Sequence, residues 1–279
     1  MPTPRLFIVR HGETEWSKSG AHTGRTDIPL TPDGERRVRS TARALVGPKR
    51  LIVPSNLAAI IVSPRQRARR TLGLLLEEGD AVCADPPSSS AAAAAATAGD
   101  DILHGLGPEG RAGLAALRRR GCAVELSERA REWEYGAYEG LKTSEITARR
   151  AQQGRGKWVI WSEGAPEGES PEQITQRLDA LIADIRARFH APAFEAQARG
   201  EEGAAGDVLV VAHGHILRCL ACRWLGQTVT QNPHFIVDAG GVGTLSYEHN
   251  NIEEPALVLG GAFIGEGVEK IEGAPGHAS

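Results

Sequence analysis

The run Leu6-Phe7-Ile8-Val9-Arg10-His11-Gly12 is a short apolar segment that ends abruptly in an arginine, a histidine and a glycine. Four consecutive large apolar residues predict a strand buried on both faces, as in a parallel sheet. Gly12 has no side chain to keep a ligand away from the backbone, and Arg10 keeps its charge at every physiological pH. The strand tip therefore favours an anion beside His11, and phosphate is the first candidate.

Two other apolar runs end in the same manner. Residues 58–62 precede Ser63-Pro64-Arg65-Gln66-Arg67, and residues 208–212 precede His213-Gly214-His215. A helix is predicted after each motif, with Ser63 capping the first. Because the carboxyl ends of parallel strands share one edge of a sheet, where ligands bind, the three motifs are expected to meet in one pocket. The helix N-termini would add backbone N–H groups and positive dipole ends there.

The remaining pattern predicts further elements around these three units. Thr31-Pro32 predicts a capped helix to about 46, and Ser170-Pro171-Glu172-Gln173 predicts a capping box opening another. A helix is also expected from 143, with strands at 122–126, 243–247 and 256–259, and surface loops at 17–30 and 191–206. Strands alternating with helices indicate the α/β class with a mostly parallel sheet.

Composition restricts the classes of partner. The 279 residues are 41% hydrophobic and 24% charged, and the formal net charge is -3. Such a balance gives no general basic field for nucleic acid or an anionic membrane, so any anion site must be local. No apolar run is long enough for a membrane helix, no secretory leader pattern is present, and the four cysteines are scattered. We therefore expect a cytoplasmic protein with reduced thiols, whose state as a monomer or homo-oligomer stays open.

One segment departs from the composition of the rest. Residues 79–110 are rich in Pro, Ser, Gly and Ala, with few aromatic or β-branched residues to bury. This stretch is interpreted as a low-complexity insertion in a single domain spanning residues 1–279.

Four motifs in order carry a family resemblance. They are Arg10-His11-Gly12; Ser63, Pro64, Arg67, Ala68 and Thr71; Glu132, Gly136, Glu139 and Gly140; and Ala212-His213-Gly214 with Arg218. With this set the sequence resembles the histidine phosphatase superfamily, also called phosphoglycerate mutase-like. The resemblance covers most of the chain apart from the insertion. It implies a three-layer sandwich in which helices flank a mostly parallel central sheet.

The resemblance also implies roles for individual residues. His11 would be the nucleophile that becomes a phosphohistidine, Glu132 the acid and base, and Arg10, Arg67 and His213 the groups that hold the phosphoryl oxygens. Phosphate or substrate contacts are implied for Ser17, Thr23, Gly24, Arg25 and Gly214. Ser17 stands where many members have Asn. Neither a metal nor a cofactor is implied, because arginines and histidines supply the positive charge.

Three reactions are considered: a phosphatase acting on a small phosphorylated metabolite, a cofactor-dependent phosphoglycerate mutase, and a phosphate-binding protein without turnover. The mutases are expected to carry Trp-Arg-Arg beyond the acid element, where this chain has Lys157-Trp158-Val159-Ile160-Trp161. The binding protein should lack the nucleophile or the acid, and neither is missing. A metal pair at His213 and His215 has no carboxylate nearby in sequence. The phosphatase is therefore favoured.

Within the phosphatases the sequence is most similar to the fungal sedoheptulose-1,7-bisphosphatase-type group. The similar strings are residues 10–30, 131–140 and 158–170. A sugar bisphosphate is therefore the expected substrate. The candidates for binding the second phosphate are Arg25, Lys18, Lys142 and Arg69. The stretch from Trp158 to Trp161 would offer an aromatic face to the sugar.

Overall fold

The computed structural model describes residues 3–79, 101–201, 205–231 and 233–259. The strands are β1 (Leu6–Arg10), β2 (Leu57–Val62), β3 (Ala123–Leu126), β4 (Asp207–Ala212), β5 (Val242–Tyr247) and β6 (Pro255–Val258). The α-helices of this part of the chain are α1 (Glu15–Ser19), α2 (Pro32–Leu45), α3 (Gln66–Glu78), α4 (Pro108–Arg119), α5 (Thr143–Gln152), α6 (Ile160–Glu163), α7 (Pro171–Ile185), α8 (Ala191–Ala198) and α9 (Gly214–Trp224). None of these described helices has the length and apolar character to cross a membrane.

A six-stranded sheet in the order β3-β2-β4-β1-β5-β6 organises the chain. The first four strands in this order pair in parallel, whereas β5 is antiparallel to β1 and β6 to β5. The predicted α/β class and mostly parallel sheet are confirmed. The two strands predicted near the C-terminus form the antiparallel hairpin at one edge.

The register brings the three strand tips to one level. Arg10 lies opposite Ala212, and Val62 lies opposite Val211. The pairing continues one residue further on both sides, because the His11 N–H donates to the Ala212 carbonyl and the Ser63 N–H to the Val211 carbonyl, each at 3.0 Å. The three sequence motifs therefore start at the same edge of the sheet, as predicted.

The alternation of side chains along β1 explains the layers. Phe7 and Val9 pack into the core formed with α2, α3 and α4, whereas Leu6 and Ile8 pack into the core that includes α7 and α9. All four side chains are buried, and burial of each contributes on the order of 1.5–3 kcal/mol to folding. Because both faces of the strand are covered, the molecule has helices on each side of the sheet.

Helix capping agrees with the sequence at two helices and differs at a third. The Thr31 hydroxyl accepts from the Gly34 N–H at 3.0 Å, and Ser170 forms the predicted capping box with Gln173. The predicted Ser63 cap is wrong, since α3 begins after Arg65 without a side-chain cap. The Ser63 hydroxyl instead pairs with a buried histidine of the site described below.

Two predicted loops contain helices. Residues 191–206 were expected to be a surface loop, but α7 continues through a π-helical turn at Arg186–His190 into α8. Pro192 is tolerated because it lies in the first turn of α8, and Ala193 and Ala196 give that helix a small buried face. The loop predicted from residue 17 overlaps the short helix α1, which Thr14 caps.

The predicted insertion falls partly outside the described residues, which omit 80–100. Its remaining part does pack. Ile102 and Leu106 are buried in the same core as α3, and α4 already begins at Pro108. The described part of the insertion is therefore packed against the domain, and its bounds at 79 and 110 stay a prediction.

Candidate active site

His11 stands at the end of β1 as a buried, neutral imidazole. Its Nδ1 lies 2.7 Å from the Gly12 carbonyl oxygen, so Nδ1 carries the proton and Nε2 keeps its lone pair. Burial, followed by the charge of Arg67, lowers the pKa of His11 to about 3. The residue remains 6% exposed and lines a cavity at this edge of the sheet. The chain therefore presents an unprotonated Nε2 to whatever occupies the cavity.

Gly12 is required by the packing behind His11. A Cβ atom at this position would lie 2.9 Å from both the Gly34 carbonyl oxygen and the Val38 Cγ2 atom of α2. The Gly12 N–H donates to the Thr71 hydroxyl at 3.1 Å. The glycine thus lets α2 and α3 pack close to the strand tip and fix the carbonyl that orients His11.

His213 lies beside His11, with ring centroids 5.0 Å apart. Arg67 Nε lies 3.1 Å from His213 Nδ1, and since a guanidinium only donates, Nδ1 is the acceptor. The proton is therefore on Nε2, which donates to the Ser63 hydroxyl at 2.7 Å. Burial and the charge of Arg67 hold the pKa of His213 well below its usual range. His213 is consequently a second neutral histidine, with both nitrogens engaged.

Arg67, for which the resemblance implies a role in holding phosphoryl oxygens, donates hydrogen bonds to a histidine and to backbone carbonyls. Its Nη1 donates to the Thr26 carbonyl at 2.8 Å, and its Nη2 donates to the carbonyls of Thr23 and Gly24 at 3.1 and 3.0 Å. Arg67 and His213 are both fully buried and lie behind His11 rather than on the cavity wall. Their positive charge and dipoles therefore act on the cavity from behind.

Glu132 belongs to the segment after β3, and its carboxylate lies against the start of α9. Its Oε1 accepts from the N–H groups of Trp133 and Ile216 at 2.9 and 2.8 Å, and its Oε2 accepts from the His215 N–H at 3.0 Å. Burial raises the pKa of this carboxyl, while the three N–H donors oppose the shift. Glu132 lines the same cavity as His11, as the sequence predicted for an acid.

Arg10 supplies the cation on the cavity wall. Its Nη1 donates to the Val237 carbonyl at 3.0 Å, and its Nε is buried without a hydrogen-bond partner among the described residues. The guanidinium packs against Gly214, where a Cβ would lie 3.3 Å from Nε. Arg10 therefore keeps donor capacity free beside His11.

The cavity has a volume of about 190 Å³. Its wall consists of Arg10, His11, Thr14, Ser17, Gly20, Ala21, His22, Thr23, Glu132, Tyr135, Gly214 and His215. Ser17 and Thr23 thus lie on the wall as predicted, but the Ser17 hydroxyl is engaged with the backbone of Thr14 in the cap of α1. Gly24 and the exposed Arg25 are not on the wall.

Tyr135 is a wall residue that the sequence reasoning missed. Its hydroxyl lies 2.7 Å from His215 Nδ1, and the His22 ring packs against the phenol with centroids 4.9 Å apart. Burial lowers the pKa of His215 to about 3 and raises that of Tyr135. This side of the cavity is therefore polar and uncharged. The available signal was the position of Tyr135 three residues after Glu132.

The predicted aromatic sugar face is wrong. Trp158 and Trp161 are buried in the core, and the Trp158 Nε1 donates to the Gly164 carbonyl at 2.7 Å. Both indoles pack in the core, and neither lies on the cavity wall.

The two histidines considered as a metal pair have protein partners on three of their four ring nitrogens, through Arg67, Ser63 and Tyr135. Within the described ranges, no group of three or more His, Cys, Asp or Glu residues is placed to hold a metal ion.

Comparison with known proteins adds independent evidence. A profile of the histidine phosphatase superfamily (branch 1) matches residues 6–86 and 111–257. A sedoheptulose 1,7-bisphosphatase of Saccharomyces cerevisiae is 36% identical over 94% of this chain and 94% of that protein. An acid phosphatase of Mycobacterium tuberculosis is 29% identical over 92% of this chain and 93% of that protein. The solved structure of a Mycobacterium tuberculosis open reading frame product matches with a TM-score of 0.59 and 26% identity, covering 92% of this chain and 97% of that chain.

Proposed function

Because the chain belongs to the histidine phosphatase superfamily (branch 1), we propose that it hydrolyses a sugar bisphosphate through a phosphohistidine at His11. The observation that carries the proposal is the neutral His11, whose Nε2 is free beside a cavity that Glu132 and Arg10 also line. The relative named as a sedoheptulose 1,7-bisphosphatase supports the substrate class. The resemblance expected from the four sequence motifs is confirmed at the level of the family.

The first half of the reaction transfers the phosphoryl group to His11. Nε2 attacks phosphorus in line, the bond from phosphorus to the ester oxygen breaks, and that oxygen takes the proton of Glu132. The Nδ1 hydrogen bond to the Gly12 carbonyl stabilises the positive charge that develops on the imidazole. Arg10 on the wall and Arg67 behind it offset the charge of the phosphoryl oxygens.

The second half releases phosphate. Glu132, now a carboxylate, takes a proton from a water molecule as that water attacks the phosphohistidine, and the bond between phosphorus and Nε2 breaks. His11 returns to its neutral form and Glu132 to its protonated form. The raised pKa of Glu132 supports this cycle, because the residue must hold a proton in one half and give it up in the other.

The cavity supports a polyhydroxylated substrate. The wall at His22, Tyr135 and His215 carries polar atoms without formal charge, which suits sugar hydroxyls better than the carboxylate of phosphoglycerate. Arg25 lies two residues after the wall residue Thr23, and its side chain is exposed. We assign it to the second phosphate at the cavity mouth, where a charge-assisted contact is worth roughly 1.5–3 kcal/mol.

The free cysteine thiols are consistent with a reducing compartment. Cys122, Cys219 and Cys222 are buried and unpaired. We therefore place the enzyme in the cytoplasm, acting on a small phosphorylated metabolite.

The test is a comparison of phosphate release from sedoheptulose 1,7-bisphosphate, fructose 1,6-bisphosphate, fructose 6-phosphate and 3-phosphoglycerate at equal concentration. We expect the bisphosphates to be hydrolysed fastest and Arg25→Ala to reduce that advantage about tenfold. Lys18→Ala is measured beside it, because Lys18 on α1 is also exposed and is another candidate cation. Preference for a monophosphate, or conversion of 3-phosphoglycerate in the presence of 2,3-bisphosphoglycerate, contradicts the proposal.

A further inference from the structure

The loop Thr23–Thr26 is held from two sides by residues of opposite charge. On one side, Arg67 donates to the carbonyls of Thr23, Gly24 and Thr26. On the other, Glu139 accepts from the Gly24 N–H at 3.0 Å for each oxygen and from the Thr26 N–H at 2.9 Å. The negative group thus faces N–H donors and the positive group faces C=O acceptors of the same short segment. Such charge-assisted bonds are stronger than neutral ones.

The contact with Glu139 also needs the glycine. A Cβ atom at Gly24 would lie 2.5 Å from the Trp133 carbonyl oxygen and 3.0 Å from Glu139 Oε2. Any larger residue at Gly24 would push the loop away from the carboxylate. Because its N–H is already donated to Glu139, Gly24 does not offer that N–H to a phosphate.

The loop is in turn linked to the nucleophile. Arg67, which the loop carbonyls orient, donates through Nε to His213, and His213 packs on the His11 ring. A shift of the loop therefore moves the guanidinium that fixes the tautomer of His213 and lies behind His11. A misplacement of about 1 Å at such a position can cost about 100-fold in rate.

We propose that Glu139 is a positioning residue for the reaction. It holds the loop Thr23–Thr26 against Arg67 and so keeps the side chains of Arg67 and His213 in place behind His11. The inference rests on the proposed function, because it concerns the rate of that reaction. Glu139 itself is absent from the cavity wall.

The experiment compares Glu139→Gln with Glu134→Gln. The amide of the first variant has one acceptor oxygen, and its NH2 group opposes one of the loop N–H donors. Glu134 lies in the same segment, and its carboxylate makes no hydrogen bond or ion pair within the described part of the chain, so its substitution should leave activity unchanged. We expect Glu139→Gln to lower kcat about 10- to 100-fold with KM within about threefold.

A second readout separates positioning from simple loss of folded protein. Orthovanadate mimics the five-coordinate phosphorus of the transition state, whereas inorganic phosphate mimics the product. We expect Glu139→Gln to weaken inhibition by vanadate by the same factor as kcat, and inhibition by phosphate much less. A purely structural defect lowers the folded fraction and leaves the ratio of the two inhibition constants unchanged.

Gly24→Ala provides a second route to the same displacement. We expect it to reproduce the loss in kcat, and the double variant Gly24→Ala with Glu139→Gln to be no slower than the worse single variant. Additive losses, an unchanged kcat in Glu139→Gln, or an unchanged ratio of vanadate to phosphate inhibition would each overturn the positioning role. Absence of phosphatase activity in the unmodified chain would contradict the proposed function instead.

Discussion

Each end of the sheet holds a buried histidine, and comparing the two shows what distinguishes a candidate nucleophile from a core histidine. His11 lies at the carboxyl end of β1, whereas His190 packs against Tyr247, at the end of the antiparallel strand β5 and therefore at the opposite end of the sheet. Burial lowers the pKa of both to about 3. Even the second cause is matched, since Arg67 adds to the shift of His11 and Arg186 to that of His190.

The surroundings differ in access and in the presence of an acid. His190 has no exposed surface; its Nδ1 pairs with the Tyr247 hydroxyl at 2.6 Å, and its ring packs edge-on against Trp224. His11 has a free Nε2 on a cavity wall that also carries Glu132. A low pKa beside a cation is therefore shared by a core histidine and a candidate nucleophile. The cavity and the neighbouring acid distinguish the candidate nucleophile from the core histidine.

The largest expected effect is at His11. His11→Ala removes the attacking nitrogen, so kcat/KM for a sugar bisphosphate should fall by about four orders of magnitude or more. Steady-state phosphate release measures the loss. If the variant keeps more than a tenth of the activity, His11 is no more catalytic than His190.

Glu132→Gln should have the next largest effect, because it removes the acid that His190 lacks. Loss of general acid catalysis costs about 100- to 10,000-fold for a sugar phosphate, whose alkoxide is a poor leaving group. The loss should be much smaller for p-nitrophenyl phosphate, whose phenolate leaves without a proton. Equal losses on both substrates would remove Glu132 from the acid role.

His190→Phe should change stability and leave kcat/KM within about threefold. It leaves the Tyr247 hydroxyl without its partner, so the free energy of unfolding at pH 7 should fall by about 1–3 kcal/mol. Urea denaturation gives the value. A loss of activity matching that of His11→Ala, at a pH where the variant is folded, would place His190 in the catalytic mechanism.

The loss of stability caused by His190→Phe should depend on pH in a definite direction. The pKa of His190 is lowered from 6.5 to about 3 on folding, so the unfolded chain binds the proton first as pH falls. The stability due to burying the neutral ring is complete above pH 6.5 and declines toward pH 3, by up to about 1.4 kcal/mol per pH unit. The phenylalanine variant lacks this titration. The difference in free energy of unfolding between the unmodified protein and the variant should therefore narrow as the pH falls from 7 to 5.

The smallest effect is expected from metal removal. The charge around His11 comes from Arg10 and Arg67, so kcat/KM should stay within about twofold after dialysis against EDTA. Activity that disappears and returns only with an added divalent cation would show that the cavity end of the sheet uses a metal after all.

The meeting of the parallel strand tips at one edge of the sheet could be predicted from the sequence for a physical reason. Strands such as β1 and β4 are apolar on both faces, so a run of four to six apolar residues marks them, and the parallel topology places their tips together. The motifs also placed His11 and Glu132 on one cavity wall, His11 because it directly follows β1 and Glu132 because of its spacing in the acidic motif.

The errors share a cause as well. Ser63 has the chemistry of a helix cap, but its hydroxyl is used by His213, a residue 150 positions away that no local pattern reveals. Trp158 was expected on the cavity wall, yet an indole gains more from core burial when the Gly164 carbonyl satisfies its N–H. Glu139 was recognised only as a motif member, because its partners at Gly24 and Thr26 are distant in sequence.

The most direct test of the account is to trap the phosphoryl group. The protein is mixed briefly with radiolabelled sugar bisphosphate, quenched in alkali, digested and sequenced by mass spectrometry. We predict an acid-labile, alkali-stable phosphate on His11 alone, with none in His11→Ala and full labelling in His190→Phe. Turnover without any phosphorylated histidine, or a label on another residue, would contradict the assignment of His11 as the nucleophile.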